Sequence, residues 1–160
     1  MLISPGFRYT YLLRKCKFYH ERGSAKFWVY RLLIERYKYK YGFGIPYSCS
    51  IGKGFFIGHF GQVFINPRVK IGDNVNIAPG ITLGNVSRGD KIGAPQIGDR
   101  VWIGTKAIIV GNIKIENGAL IGPGAYVNFD VPENAVVIGN PGKIVSFKGS
   151  EGYINRVYEK

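Results

Sequence analysis

From Ile45 onward, apolar and mostly β-branched residues recur every six positions. Stepping by six gives Ile51, Ile57 and Val63; a second run in a shifted register gives Ile71, Ile77 and Leu83; a third gives Ile97, Ile103, Ile109, Ile115, Ile121 and Val127. Small residues follow most of them, as at Gly52, Gly72, Ala78, Gly98 and Gly122. A helix would place apolar groups every three to four residues, and a plain strand every two. A period of six fits short strands that meet at the corners of a triangular coil. Three hexads close one turn, the Ile and Val side chains stack inward, and glycine relieves the corners. The thirteen hexads make a little over four coils. The period leaves the hand of the coil open, and the rule for parallel crossovers by itself favours a right-handed winding.

The register breaks twice. Val63 to Ile71 is eight residues instead of six, which predicts a bulge at Phe64–Arg68. Leu83 to Ile97 is 14 instead of 12, which predicts a loop across Gly84–Gln96. Segments ejected from a rigid solenoid are where substrates and neighbouring subunits are met.

Upstream of the repeat the pattern changes. Between Ser24 and Phe43, Phe27, Tyr30, Ile34, Tyr37 and Tyr41 recur at helical spacing, with Lys26, Arg31, Arg36, Lys38 and Lys40 interleaved. Ser24 is the expected N-cap and Gly42 the expected stop. The apolar face of this amphipathic helix is expected to pack on the repeat or on another subunit. The alternative is peripheral contact with an anionic membrane through residues 1–44, with aromatics at headgroup level. No nucleic-acid motif accompanies the basic residues. The chain divides into a basic, aromatic-rich helical segment (1–44), the repeat domain (45–147) and a C-terminal tail (148–160).

Composition sharpens this division. The net charge is +12, and residues 1–44 carry ten Lys/Arg against Glu21 and Glu35, hence +8 of it, with 12 of the 23 aromatics. Cys16 and Cys49 have no metal-ligand spacing, so no metal is expected. Two lone thiols without a secretory signal point to a reducing compartment, the cytoplasm by default. The first 13 residues lack the apolar core of a signal peptide, and no stretch approaches about 18 uncharged apolar residues.

The segments Ile51-Gly-Lys-Gly-Phe-Phe-Ile-Gly-His-Phe-Gly, Ile77-Ala-Pro-Gly-Ile-Thr-Leu-Gly, Val101-Trp-Ile-Gly-Thr-Lys-Ala and Gly139-Asn-Pro-Gly-Lys-Ile-Val resemble the hexapeptide-repeat acyltransferases, in their serine acetyltransferase-like branch. The resemblance covers roughly residues 45–147. It implies an all-β left-handed parallel β-helix preceded by a short helical segment, a homotrimer, and acetyl-CoA bound as acyl donor between subunits. The Ile65-Asn-Pro segment, the Arg88-Gly loop and the Tyr126-Val-Asn-Phe-Asp ending look like the small O-acetyltransferases of capsule, exopolysaccharide and O-antigen clusters. Three departures from true serine acetyltransferases point the same way. The family's catalytic aspartate falls on Gly44, its serine-engaging Arg-His pair falls on Gly93 and Ala94, and its long N-terminal domain is reduced to about 44 residues. A zwitterionic acceptor needs a cation for its carboxylate. The acceptor implied is therefore a hydroxyl of a glycan, of a surface polysaccharide or its lipid-linked precursor at the inner face of the membrane. Serine O-acetylation and a non-catalytic scaffold are the alternatives.

O-acetyl transfer from a thioester needs a base for the hydroxyl proton, donors for the oxyanion, and alignment of both substrates. His59 stands at the family's base position, and an imidazole suits the task near neutral pH. His20, between Tyr19 and Glu21, reads as structural or surface. With Gly44 in place of the aspartate, a backbone carbonyl or Glu35 must orient the ring. Asn85 is the candidate partner for the oxyanion or acceptor, or else a turn residue; Arg88 is a candidate phosphate or glycan contact, or else a solvated loop charge. The resemblance places Gly84, Gly104, Thr105 and Gly122 along the pantetheine arm, and Pro141 and Lys143 at the adenine end, with Lys143 facing phosphate. The Gly-x-Gly pairs precede no helix and are not a dinucleotide fingerprint. Direct transfer is expected, because Cys49 has no apparent partner base.

Overall fold

A computed structural model describes residues 4–155 and 157–159. Two helices come first. In α1 (Pro5–Glu21), proline occupies the first turn, where its missing N–H costs no hydrogen bond. Its buried positions Gly6, Tyr9, Leu12, Leu13 and Cys16 repeat at three to four residues. In α2 (Lys26–Tyr41), the cap is Ala25 in place of the expected Ser24. Ser24 stands one residue outside, its carbonyl accepting the Phe27 N–H at 2.9 Å. Gly42 ends the helix as expected: at φ 74° it adopts the left-handed conformation open to glycine, and its N–H returns to the Lys38 carbonyl. Phe27, Tyr30, Tyr37 and Tyr41 pack against the core around buried Ile34, so the expected apolar face of α2 turns inward.

The rest is a left-handed parallel β-helix of three faces, the hand that the resemblance implies. The first face stacks Phe43–Gly44, Val63–Ile65, Thr82–Gly84, Ile108–Val110 and Tyr126–Val127. The second stacks Ser50–Ile51, Lys70–Ile71, Gln96–Ile97 and Lys114–Ile115. The third stacks Phe56–Ile57, Asn76–Ile77, Trp102–Ile103, Leu120–Ile121 and Val136–Ile138, and Lys143–Ser146 closes it as an antiparallel edge. The inward residues form columns such as Ile57, Ile77, Ile103, Ile121 and Val137, all buried. Burying each such side chain stabilises the fold by roughly 1.5–3 kcal/mol.

Strand register corrects the two predicted breaks. Residues 18 apart pair in a regular coil, as Phe64 with Thr82 and Gln96 with Lys114. Between the first two coils the offset is 20, with Phe43 opposite Val63, Ser50 opposite Lys70 and Phe56 opposite Asn76. Only the stretch between Ile57 and Val63 is common to all three offsets. The two extra residues therefore lie in the corner Gly58–Gln62, and not at Phe64–Arg68. The next offset is 26, with Lys70 opposite Gln96 and Thr82 opposite Ile108. The loop at Gly84–Gln96 is confirmed, and it adds eight residues to its coil (26 − 18) where the sequence count gave two.

Along each strand alternate residues face the coil above and the coil below, as Phe64 donates to Ile81 O and Val63 to Gly42 O, both at 3.0 Å. In the first coil the groups that face away from the stack meet no further coil, and α1 answers several of their carbonyls with side chains. The Tyr9 hydroxyl lies 2.9 Å from both the Phe43 and Ile45 oxygens, Lys17 reaches Cys49 O at 3.5 Å, and the Arg14 guanidinium donates to the Ile51 and Gly52 carbonyls. At the opposite end the tail returns along the third face. Tyr153 packs on Trp102 at 4.8 Å, and the Asn74 amide grips the Tyr158 backbone through two hydrogen bonds of 3.2 and 2.7 Å.

Candidate active site

His59 sits in the lengthened corner between the third and first faces. Its ring is exposed and makes no hydrogen bond among the described residues. The two extra residues carry it, and neighbouring Phe60, out from the wall. Gly61 anchors the corner from behind by donating to the Tyr41 carbonyl at 2.9 Å, at a φ of 138° that favours glycine.

The corners of successive coils stack above His59 in one column. Gly80 donates to Gln62 O, Lys106 to Pro79 O at 3.0 Å and Gly124 to Thr105 O at 2.8 Å. Above them, Gly142 donates to Tyr126 O at 2.8 Å, next to the cis Asn140–Pro141 bond. Of the residues singled out from sequence, Gly104, Thr105, Gly122 and Pro141 share this column with His59. Lys143 opens the antiparallel edge strand beside it and is exposed.

Asn85, Gly84 and Arg88 do not join them. Gly84 ends the first-face strand Thr82–Gly84 and the other two follow it, on the opposite edge of that face from His59. Within one chain His59 and the loop are therefore held apart by the width of a face. The loop is folded on itself: Val86 and Gly93 exchange backbone hydrogen bonds of 2.9 Å, and Asn85 Nδ2 donates to Ser87 Oγ at 3.2 Å. Asn85 Oδ1 is buried without a partner. Its unpaired atom is an acceptor, which suits a substrate hydroxyl or amide better than an oxyanion. Arg88 is exposed at the loop tip.

Neither of the two groups considered for orienting His59 engages it. Glu35 is held on α2 by ion pairs with Arg31 and with Lys38, and the Arg31 hydrogen bond keeps its carboxyl below the usual range. No backbone carbonyl bonds the ring among the described residues. The place of the expected aspartate is also filled, since a Cβ on Gly44 would lie 2.7 Å from Cδ1 of Phe64. His20 packs between Phe27 at 4.9 Å and Tyr47 at 5.3 Å, as an aromatic partner within the helical segment. Burial pushes the Cys49 thiol up to about 11, which leaves it protonated at neutral pH and unfit as a nucleophile.

Lys106 also stands in this column, and the sequence did not single it out. It is exposed one position after Thr105, and at φ 60° it occupies the left-handed position that Gly80 and Gly124 fill in the adjacent coils. Asn74, Arg100 and Asn134 adopt the same conformation at other corners, so what singles Lys106 out is its place in the column beside Thr105. The available signal was that alignment with Gly80 and Gly124.

Comparison with known proteins adds the family. Residues 94–128 match the model described as bacterial transferase hexapeptide (six repeats). The putative colanic acid biosynthesis acetyltransferase WcaB of Escherichia coli K12 is 36% identical over 121 residues, which cover 75% of this chain and 72% of that protein. A serine acetyltransferase of Bacillus pumilus is 36% identical over 126 residues, 79% of this chain and 57% of that one. The crystal structure of a Brucella abortus serine acetyltransferase in complex with coenzyme A superposes with a TM-score of 0.77 at 30% identity, over 89% of this chain and 56% of that one. The chain thus spans little more than half the length of these two serine acetyltransferases. A fold of stacked hexads, a family model within it and a relative matched over most of both lengths agree: the chain belongs to the bacterial hexapeptide-repeat transferase family.

Proposed function

We propose that the protein is an acetyl-CoA-dependent O-acetyltransferase with His59 as general base. The observation that carries this reading is the corner Gly58–Gln62, among the described residues the only one between the third and first faces lengthened by two residues, which presents an exposed imidazole at the foot of a column of small residues. His59 takes the proton of the acceptor hydroxyl as its oxygen attacks the thioester carbon. When the tetrahedral adduct collapses, the carbon–sulfur bond breaks and the proton passes to the departing thiolate. The solved relative with coenzyme A supports the donor, and the column Gly104, Thr105, Lys106, Gly122 and Pro141 is where we place it.

We infer a homotrimer, because His59 and Asn85 flank one face and meet only if a neighbouring copy supplies one of them. The outward residues Phe64 and Ile108 leave that first face apolar and exposed, whereas the second face presents Ser50, Lys70, Gln96 and Lys114. Two buried free thiols fit a reducing, cytoplasmic setting.

For the acceptor, we propose a sugar hydroxyl of a surface polysaccharide or its precursor. Gly93, at φ 134° in the closed loop, and buried Ala94 offer no cation to an amino-acid carboxylate. WcaB, named for colanic acid biosynthesis, supports this reading. Serine is the second reading, and the names of the relatives support it more broadly, since serine acetyltransferases predominate among them. Thiol release from acetyl-CoA, measured with serine and with a panel of glycan acceptors, separates the two. His59→Ala should lower turnover by roughly 10²–10⁴-fold with the productive acceptor. Turnover near wild type in that variant would remove His59 from the mechanism.

A further inference from the structure

The inward faces of α1 and α2 are spent on the core, yet each helix also carries an outward apolar row. On α2 the row is Trp28, Leu32 and Tyr39, exposed by 67, 72 and 80%. On α1 it is Phe7, Tyr11 and Phe18, all exposed. Both rows have the spacing i, i+4, i+11, which lies along one side of a helix. Their ring contacts are local: Phe7 stacks on Tyr11, Phe18 meets Tyr19 at 5.2 Å and Trp28 meets Phe27 at 5.1 Å, while Phe7 and Tyr11 also border a groove with Phe55, Phe56 and Tyr158. Lys15 lies over the Tyr11 and Phe18 rings at 5.7 and 5.8 Å, Arg22 over Phe18 at 3.6 Å, and Lys38 near Tyr39 at 5.5 Å. Arg36, Lys40 and Lys26 are exposed on α2. Against them stand only two acids, Glu35, already paired with Arg31 and Lys38, and exposed Glu21.

We propose that these two rows form a docking surface for an anionic phospholipid bilayer. Large apolar groups exposed in rows mark an interaction site and not ordinary surface. Trp, Tyr and Phe rings beside Lys and Arg are the composition that settles at headgroup level, the rings in the acyl boundary and the cations on lipid phosphate. The charge selects the occupant. A second copy would bring two cationic faces together, whereas an anionic leaflet is complementary to a segment of net charge +8. Leu32 and Val29, both exposed, gain nothing from a phosphate backbone but gain from acyl chains. Contact lies in the interface plane, since no helix among the described residues is long and apolar enough to cross a membrane. This surface stands independently of the acetyl-transfer reading.

The test is co-sedimentation of the full chain with phosphatidylcholine vesicles, with and without about 30% phosphatidylglycerol, alongside the fluorescence of Trp28. Trp28 emission is isolated as the part that Trp28→Phe removes. The expected result is partitioning at least roughly tenfold stronger on the anionic vesicles, with a blue shift of that emission. Replacing Trp28, Leu32 and Tyr39 by Ser should abolish both with unchanged circular dichroism, because the three side chains are exposed. Replacing Lys26, Arg36 and Lys40 by Gln should bring anionic binding down towards the neutral level. Three outcomes overturn the proposal: equal binding to both vesicles, sedimentation without a Trp28 shift, or retention of a nucleic-acid oligomer with no vesicle binding.

Discussion

Tyr9→Phe tests how the open end of the β-helix is closed. The Tyr9 hydroxyl lies 2.9 Å from two first-coil carbonyls, those of Phe43 and Ile45, and the group is buried. It has one proton to share between them, so the bond is three-centred. The substitution keeps the ring and its edge contact with Phe43 at 5.2 Å, and opens no sizeable cavity. What it removes is the donor for two buried oxygens, at a cost of about 1–3 kcal/mol. In a chain of this size that lowers the melting midpoint by roughly 2–4 °C per kcal/mol. Tyr9→Ala adds the loss of packing, and its total should reach about 3–5 kcal/mol or more. Urea unfolding at fixed protein concentration, followed by far-UV circular dichroism, measures both variants. A Tyr9→Phe variant within about 0.5 kcal/mol of the wild type would refute the capping role, since such a change is the size expected of a neutral surface substitution.

Four further predictions concern the coil, the thiols and the site. In Gly98→Ala the new Cβ would lie 2.5 Å from Asn117 Oδ1, the oxygen that accepts the Asp99 N–H at 2.7 Å, so stability should fall by about 1–3 kcal/mol in the same unfolding assay. Cys49 is raised from 9.0 to about 11 in the fold by burial. Its contribution is therefore complete below the unfolded value of 9.0 and is lost as pH rises through about 11, a loss that Cys49→Ala should reduce. Native protein at pH 8 should likewise resist alkylation at both buried cysteines until it is unfolded, as mass spectrometry would show. Lys106→Ala should raise KM for acetyl-CoA roughly tenfold with a smaller change in kcat, the pattern of a lost binding contact; unchanged KM would remove Lys106 from the donor site.

The architecture was legible because one inward position per face repeats through every coil, and Ile or Val fills nearly all of them. The bulge was misplaced for a physical reason. The strand Val63–Phe64–Ile65 buries both Val63 and Ile65, so a six-residue step from Ile57 lands on a buried residue two positions early and hides the shift. The break then surfaced at the next step, beyond Ile65, although the extra residues belong to the corner of His59. The second miscount has the same root: Leu83 to Ile97 is one face-to-face step, not two, and only strand pairing shows that. Helix α1 could have been found, since Gly6, Tyr9, Leu12, Leu13 and Cys16 keep helical spacing, but its outward aromatic row blurs the contrast between its sides.

What lay beyond the sequence depends on distance along the chain and on empty or filled space. Asn74 and Tyr158 are 84 residues apart, and nothing local in either announces their two hydrogen bonds. Gly44 reads in sequence only as a missing aspartate. In the fold it is a place already taken, because Phe64 of the next coil lies over it. An aspartate introduced at position 44 alone would therefore have to displace that ring before it could reach an imidazole. The space at position 44 is thus a property of two coils together, which no local reading of the sequence around Gly44 could show.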